Sequence, residues 1–442
     1  MELRDLIVTP IVIILVYVVA YFVRPYCTDH ITRKYFMPGL TVRIIGALAV
    51  GFIYQFYYNG GDTFNFHTHG SRHIWEAFMD DPVKGMRLLV RDEDQTGLYS
   101  YTSKMIFSHD PSSYAIIQIA AIFDLFTFSS YSATAVLFAA VAFVGMWLFF
   151  LTFYRQFPSL HQWLAAAAFF IPSVFFWGSG ILKDTITLSC LGAATYLVYQ
   201  IGIERRAKTW LVLLLLTCLF IIYHVKIYIL LMFLPAAIVW VFMANLYTIK
   251  NTMLRIILLP VVTGLSLLLG FMAISKAGED NPRYSLSAIS KTAQITAYDI
   301  RYWTGRDAGS GYTLGELDGT WQSMLRLAPD AINVSLFRPY LWEVSNPLMF
   351  LSSVESFSLL LVTLGVIVVC RRYVFKSMLY PPILFCLMFA IGFAFSVGVS
   401  TFNFGTLMRY KIPLLPFYCT ALIAIIHYRN SSRKLERLEL TE

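Results

Sequence analysis

The sequence predicts an all-α integral membrane protein of about eleven transmembrane helices with two long outer-face loops, and three observations carry that expectation. Of its 442 residues, 58% are hydrophobic and only 14% charged, against roughly a quarter charged in soluble domains; the mean hydropathy is +0.64. Apolar runs such as IVTPIVIILVYVVAYFV, AVLFAAVAFVGMWLFFLTF and TWLVLLLLTCLFIIY recur along the whole chain, each close to the ~20 residues that cross about 30 Å of hydrocarbon. The net charge of +8 is concentrated in short segments between those runs: Arg24, Arg33, Lys34 and Arg43; Arg205, Arg206 and Lys208; Lys250 and Arg255; Arg371, Arg372 and Lys376; Arg429, Arg433, Lys434 and Arg437. Segments of this kind are cytoplasmic under the positive-inside rule. The basic balance therefore reports topology and implies no nucleic-acid partner.

Spans are predicted over 7–23, 41–57, 131–153, 160–177, 182–202, 209–223, 226–246, 254–274, 350–370, 379–397 and 406–427. The opening MELRDLIVTP leads into a long apolar run with no small-residue cleavage pattern, so the first helix is expected to be retained. The segment 113–130, SYAIIQIAAIFDLFTFSS, is apolar but contains Asp124. If it crossed, every basic segment from Arg205 onward would change sides, so it is placed as a helix lying at or dipping into the outer interface. The N-terminus is then outside and residues 428–442 form a cytoplasmic tail. The whole chain, 1–442, reads as one polytopic domain, with a first outer loop at 58–130 and a second at 275–349. Both loops mix acidic and basic residues with Tyr, Trp, Gly and Pro. Loops longer than about 12–15 residues are usually functional or disordered, and this aromatic content argues against disorder. The six cysteines (Cys27, Cys190, Cys218, Cys370, Cys386 and Cys419) lie mostly in apolar runs without metal-type spacing and read as packing residues.

The stretch YYNGGDTFNFHTHG, residues 57–70, ends the second span with two glycines and an aspartate. Residues without a Cβ permit a sharp turn and a close approach by ligand, and Asp62 follows at once. Under the predicted topology other ionisable residues gather at the same depth: Lys183 and Asp184 in WGSGILKD, His224 and Lys226 in YHVK, and Arg409 and Lys411 in FGTLMRYKIP. Ionisable groups near hydrocarbon cost about 2.5–3.5 kcal/mol on insertion scales, so they mark a function or pair with one another. Lys183, Lys226 and Arg409 have the chemistry to hold a phosphate or pyrophosphate leaving group. Asp62 has the chemistry of a general base. Asp184 and Glu355 are candidates for a second carboxylate, and His67, His69, Arg338 and Trp342 for substrate contacts. Against these stand structural readings: Asp62 as a turn residue, Lys183 with Asp184 as an ion pair anchoring a helix end, Arg338 as the partner of Glu343 or Glu355, and Asp124 on the polar face of its interfacial helix. His67, His69 and His73 raise a divalent metal as an alternative, but no residue is fixed as a fourth ligand.

A long outer loop opening with an aspartate after an early helix, an interfacial helix inside it, a cation at the outer turn before residue 184 and a late RYKIPLLPF helix together resemble the multi-spanning glycosyltransferases of the GT-C superfamily. Within it the chain is similar to bacterial enzymes that build surface polysaccharides. The resemblance implies a polyprenyl-phosphate-linked sugar donor, a glycan or lipid acceptor, and an active site on the outer face of the bacterial plasma (inner) membrane. It implies Asp62 as the acidic position and Lys183 and Arg409 as donor-phosphate contacts. Trp75, Tyr302, Trp303 and Trp342 are candidates for stacking on sugar rings. An O-antigen-type polymerase or ligase using a pyrophosphate-linked carrier is a variant of the same expectation. A transporter or lipid flippase, with its ionisable residues near the midplane on broken helices, and a non-catalytic scaffold are the rivals.

Overall fold

The computed structural model describes residues 2–92, 96–246, 264, 289–303 and 310–439. Among these the chain is helical with no strand, apart from one isolated bridge between Gly311 and Asn403. Among the described residues seven helices are long and apolar enough to cross a membrane: Leu3–Cys27, Arg33–Phe56, Tyr131–Gln156, Lys183–Ile203, Thr209–Leu246, Pro347–Cys370 and Pro381–Ser400. An eighth is added if Phe404–Tyr410 and Leu414–Lys434, bent by 64°, form one broken span. The chain is a multi-pass membrane protein.

The expected count of eleven is not reached, for three reasons. The predicted span 160–177 divides into His161–Phe169 and Pro172–Trp177, because Pro172 has no amide to donate and pushes Ile171 out of the helical region; Ile171 sits at φ −73, ψ 120. The predicted spans 209–223 and 226–246 form one continuous helical run, Thr209–Leu246, in which two helices meet at a kink at Lys226, φ −148, ψ 75; they count once, although the kink falls at the expected turn His224–Lys226. The predicted span 254–274 lies outside the described residues, save Gly264.

The chain forms two compact units, Met1–Leu197 with Trp210–Ile227, and Val198–Thr209 with Tyr228–Glu442. In the first, Arg33–Phe56 and Tyr131–Gln156 pack side by side, and Leu3–Cys27 lies along Tyr131–Gln156. Leu6, Ile7, Ile11, Ile14, Leu15 and Val18 are exposed on Leu3–Cys27, the signature of a lipid-facing helix. Small residues let backbones touch. A Cβ on Gly145 would fall 2.2 Å from the Ser189 carbonyl, and one on Gly192 2.3 Å from the Gly145 carbonyl. Arg43, expected in a cytoplasmic basic segment, is instead wholly buried. Its Nη1 donates to the carbonyls of Val174 and Gly178, each at 2.9 Å, supplying donors that the end of Pro172–Trp177 lacks.

The described residues of 58–130, expected as the first outer loop, are mostly helical, and the stretch expected at the interface forms Pro111–Thr127. Asp110 caps it, accepting from the amides of Ser112 and Ser113. In the second unit Pro381–Ser400 packs against Leu414–Glu439 on one side and Ala328–Phe337, from the second outer loop, on another. Trp240 stacks on Phe385 at 4.3 Å, and Gly398 admits the Ala331 carbonyl, which would lie 2.2 Å from a Cβ there.

Replacing Gly145 or Gly192 by Leu should lower the thermal unfolding midpoint of the detergent-solubilised protein, with overpacking costing about 1–3 kcal/mol. Gly365→Leu, at a position with no atom within 4 Å of the added Cβ, should leave the midpoint near that of the wild type.

Candidate functional site

Asp62 opens a five-residue helix, Asp62–Phe66, and is half-buried. The turn before it is built by Gly60 and Gly61, at φ +123 and +121, a region that disfavours side chains. At Gly61 a Cβ would also meet the Tyr54 ring at 2.9 Å. The glycines thus make the sharp turn expected of them. The helix runs into a π-helical turn, His67–Ser71, in which His69 departs from helical geometry at φ −104, ψ 29; such turns often accompany functional sites.

What holds this segment is Asp124, expected on an exposed polar face and found with no exposed surface. Its carboxylate accepts from Ser71 Oγ at 2.6 Å and Thr134 Oγ1 at 2.7 Å, and His67 Nε2 stands 3.3 Å away. The correction has a plain cause: a carboxylate on the apolar interior of the unit is tolerable only when its lone pairs are filled. His67 is likewise corrected from a substrate contact to a buried structural residue, edge-on to Tyr131. His69 is exposed, and His73 pairs with Glu76 at 2.9 Å. Among the described residues no three His, Cys, Asp or Glu side chains are grouped to hold a metal.

The two candidate phosphate-binding cations of the first unit, Lys183 and Lys226, are engaged by carboxylates. Lys183 donates to Asp110 at 3.0 Å and to Ser112 Oγ at 2.7 Å, fastening the interfacial helix. Burial alone would raise the Asp110 carboxyl, but the Ser113 hydroxyl and Lys183 hold it well below the usual carboxylate range. Asp184, wholly buried, is paired with Lys226 at the break in Thr209–Leu246. The expected pairing of Lys183 with Asp184 is thus replaced by two pairings across the fold.

Arg409, half-buried on Phe404–Tyr410, lies over the Tyr410 ring at 6.0 Å and belongs to the second unit, as do Arg338, Trp342 and Glu355. Arg338 forms a bidentate pair with Glu343 rather than with Glu355 and sits among the rings of Tyr312, Tyr340 and Phe404 at 5.2–5.8 Å. Trp342 is 77% exposed and stacks on Tyr340, so it remains presentable to a ligand. Glu355 is half-buried on Pro347–Cys370, within electrostatic reach of the buried Lys411. Lys411 itself donates to Ser356 Oγ at 2.8 Å and the Arg338 carbonyl at 3.3 Å.

One feature of the first unit escaped sequence reasoning. A pocket of about 240 Å³, its wall mainly apolar but carrying ionic side chains, is lined by Glu2, Asp5, Gln55, Phe64, Arg72 and Tyr131, with Gly51 and Thr68. Phe64 shares the Asp62–Phe66 helix and Thr68 the π-helical turn. Its residues come from four separated segments, and only the adjacent Gly-Gly-Asp signal pointed near it.

Asp124→Ala should destabilise the protein strongly, since Ser71, Thr134 and His67 would each lose a buried partner at about 1–3 kcal/mol per group, and should lower the unfolding midpoint more than Asp62→Asn at its half-exposed position. A second expectation concerns Glu343. Burial would raise its carboxyl, but Arg338 and the Tyr340 amide hold it below the usual glutamate range. A depressed carboxylate stabilises the fold above its unfolded value, ~4.3, and that contribution is lost as pH falls through the folded value. On acidification from about pH 6 to pH 3, the unfolding midpoint should therefore fall further for wild type than for Glu343→Gln. Compared with protein-family models, with curated proteins and with solved structures, the chain matches none.

Proposed function

We propose that the protein is a membrane glycosyltransferase that moves a sugar from a polyprenyl-phosphate carrier to a glycan or lipid acceptor at the outer face of a bacterial plasma membrane. The observation that carries this reading is the mounting of Asp62. A half-exposed carboxylate follows a glycine turn, on a helix whose continuation is clamped by Asp124 and whose Phe64 lines a pocket. A general base must be held near the acceptor hydroxyl and remain reachable by it. With a single carboxylate in that role, direct displacement with inversion is the simplest course: Asp62 takes the acceptor's proton as its oxygen attacks the anomeric carbon, and the carrier phosphate departs with the bonding pair. Within the first unit, Lys183 is the cation assigned to that phosphate, with Asp110 as the partner it would exchange. Lys226 is withdrawn from the role, because it is enclosed and neutralised by Asp184.

A second reading has its own support. The buried Asp184–Lys226 pair at a break in a long apolar helix is what a transporter or flippase would use for coupling.

One experiment separates them: mass spectrometry of glycans and lipid-linked oligosaccharides in cells lacking the protein, complemented with wild type, Asp62→Asn or Asp184→Asn at equal expression. The transferase reading expects a defined glycan to lack one sugar, with Asp62→Asn at least ~10²-fold below wild type in restoring it. Full restoration by Asp62→Asn, together with failure by a stably folded Asp184→Asn, would sink that reading in favour of transport.

A further inference from the structure

The pocket of the first unit lined by Phe64 and Tyr131 carries an inference about what enters it. Its charges are already balanced. Glu2 accepts from Arg72 Nη1 at 2.6 Å and from Nε of Arg4, outside the lining, at 2.5 Å, so the two carboxylates of the lining, Glu2 and Asp5, stand against Arg72 within it and Arg4 beside it. Asp5 is held by the Glu2 amide at 2.8 Å, Ser130 Oγ at 2.7 Å and the Ser132 amide at 3.3 Å. An anionic ligand would be repelled by the carboxylates, and a cation would meet Arg72. The hydrogen-bonding capacity, by contrast, is not filled. Tyr131 is 6% exposed, and its hydroxyl, beside that of Thr63, makes no hydrogen bond of ordinary geometry. Arg72 Nε is buried and also without an acceptor. Orphaned buried donors are costly, and here two of them belong to residues lining one cavity. Gly51 keeps the space open for that tyrosine, since a Cβ there would stand 2.7 Å from its ring. Phe64, stacked on Tyr131 at 4.5 Å with the rings nearly parallel, adds an apolar wall.

We propose that this pocket binds a neutral, hydroxyl-rich ring the size of one monosaccharide, presented by the acceptor. Hydroxyl groups both donate and accept, so they satisfy Tyr131 Oη and Arg72 Nε while donating to Glu2, Asp5 and the Gln55 amide oxygen. At about 240 Å³ the cavity lies below the ~300–1,000 Å³ of drug-sized sites and suits a single ring. Assigning that ring to the acceptor rests on the transferase reading; the binding itself does not.

The test uses the full-length protein in nanodiscs and saturation-transfer NMR. The probes are methyl glycosides of glucose, galactose and mannose and N-acetylglucosamine, each free and, in a second arm, as a lipid-anchored glycoside, with glucuronate as the anionic control. Binding of at least one neutral probe is expected, with affinity about tenfold weaker in Tyr131→Phe, little signal from glucuronate, and unchanged binding in Asp62→Asn. A signal in the free arm marks a site for the sugar alone, and one confined to the anchored arm a site for a lipid headgroup; both support the pocket. Absence of binding by every neutral probe, or equal affinity in wild type and a folded Tyr131→Phe, overturns it. If binding behaves as expected while Asp62→Asn still restores the glycan in cells, Asp62 falls as the general base and the pocket stands.

Discussion

The first unit depends on one buried carboxylate. Asp124 sits where water cannot reach it, and a charge or acceptor there must be met by donors from the protein. Those donors come from Ser71 and Thr134, with His67 alongside, which means that satisfying one side chain joins the π-helical turn, the interfacial helix and the start of Tyr131–Gln156. The turn so fixed presents Thr68 and Arg72 to the pocket. Rigidity at the candidate site is therefore a by-product of a solvation requirement rather than of extensive apolar packing.

The same requirement explains where the other buried charges lie. In hydrocarbon a broken helix leaves carbonyls and amides that no solvent can satisfy, and breaks survive only where side chains step in. Arg43 serves the carbonyls at the end of Pro172–Trp177. Lys411 stands at the bend between Phe404–Tyr410 and Leu414–Glu439 and ties it to Ser356 and the Arg338 carbonyl. Lys226, the non-helical residue of Thr209–Leu246, is met by Asp184. Arg43, which sequence alone assigns to topology, Lys226, which it assigns to ligand binding, and Lys411 thus all lie at or against irregular backbone.

This division marks what the sequence made legible. Hydropathy found most spans and the membrane class, since burial in lipid imposes a length on every crossing segment whatever its neighbours. Gly60 and Gly61 were readable because a positive φ favours one residue type. Partnerships were not readable. Asp124 and Ser71 are 53 residues apart, Lys183 and Asp110 are 73, and Arg43 and Gly178 are 135; a composition window holds no information about such pairings. For the same reason His67 read as a ligand-facing histidine, and Lys226 as a turn residue, although each is defined by a group far away in the chain.

The first unit places two carboxylates around one segment and treats them oppositely. A group that acts on a substrate must be immobile enough to orient and open enough to meet its target, and these demands conflict at a single residue. Here they are divided between two. Asp124 has no exposed surface and supplies immobility, its oxygens occupied by donors; Asp62 has exposure, carried to the edge of the segment by a turn that only glycine adopts easily. Moving either property onto the other residue would fail: an exposed Asp124 would leave the turn unanchored, and a buried Asp62 would need donors in place of a substrate. The separation of anchor from reach is the physical reason to look for chemistry at Asp62 rather than at the fully buried carboxylate behind it.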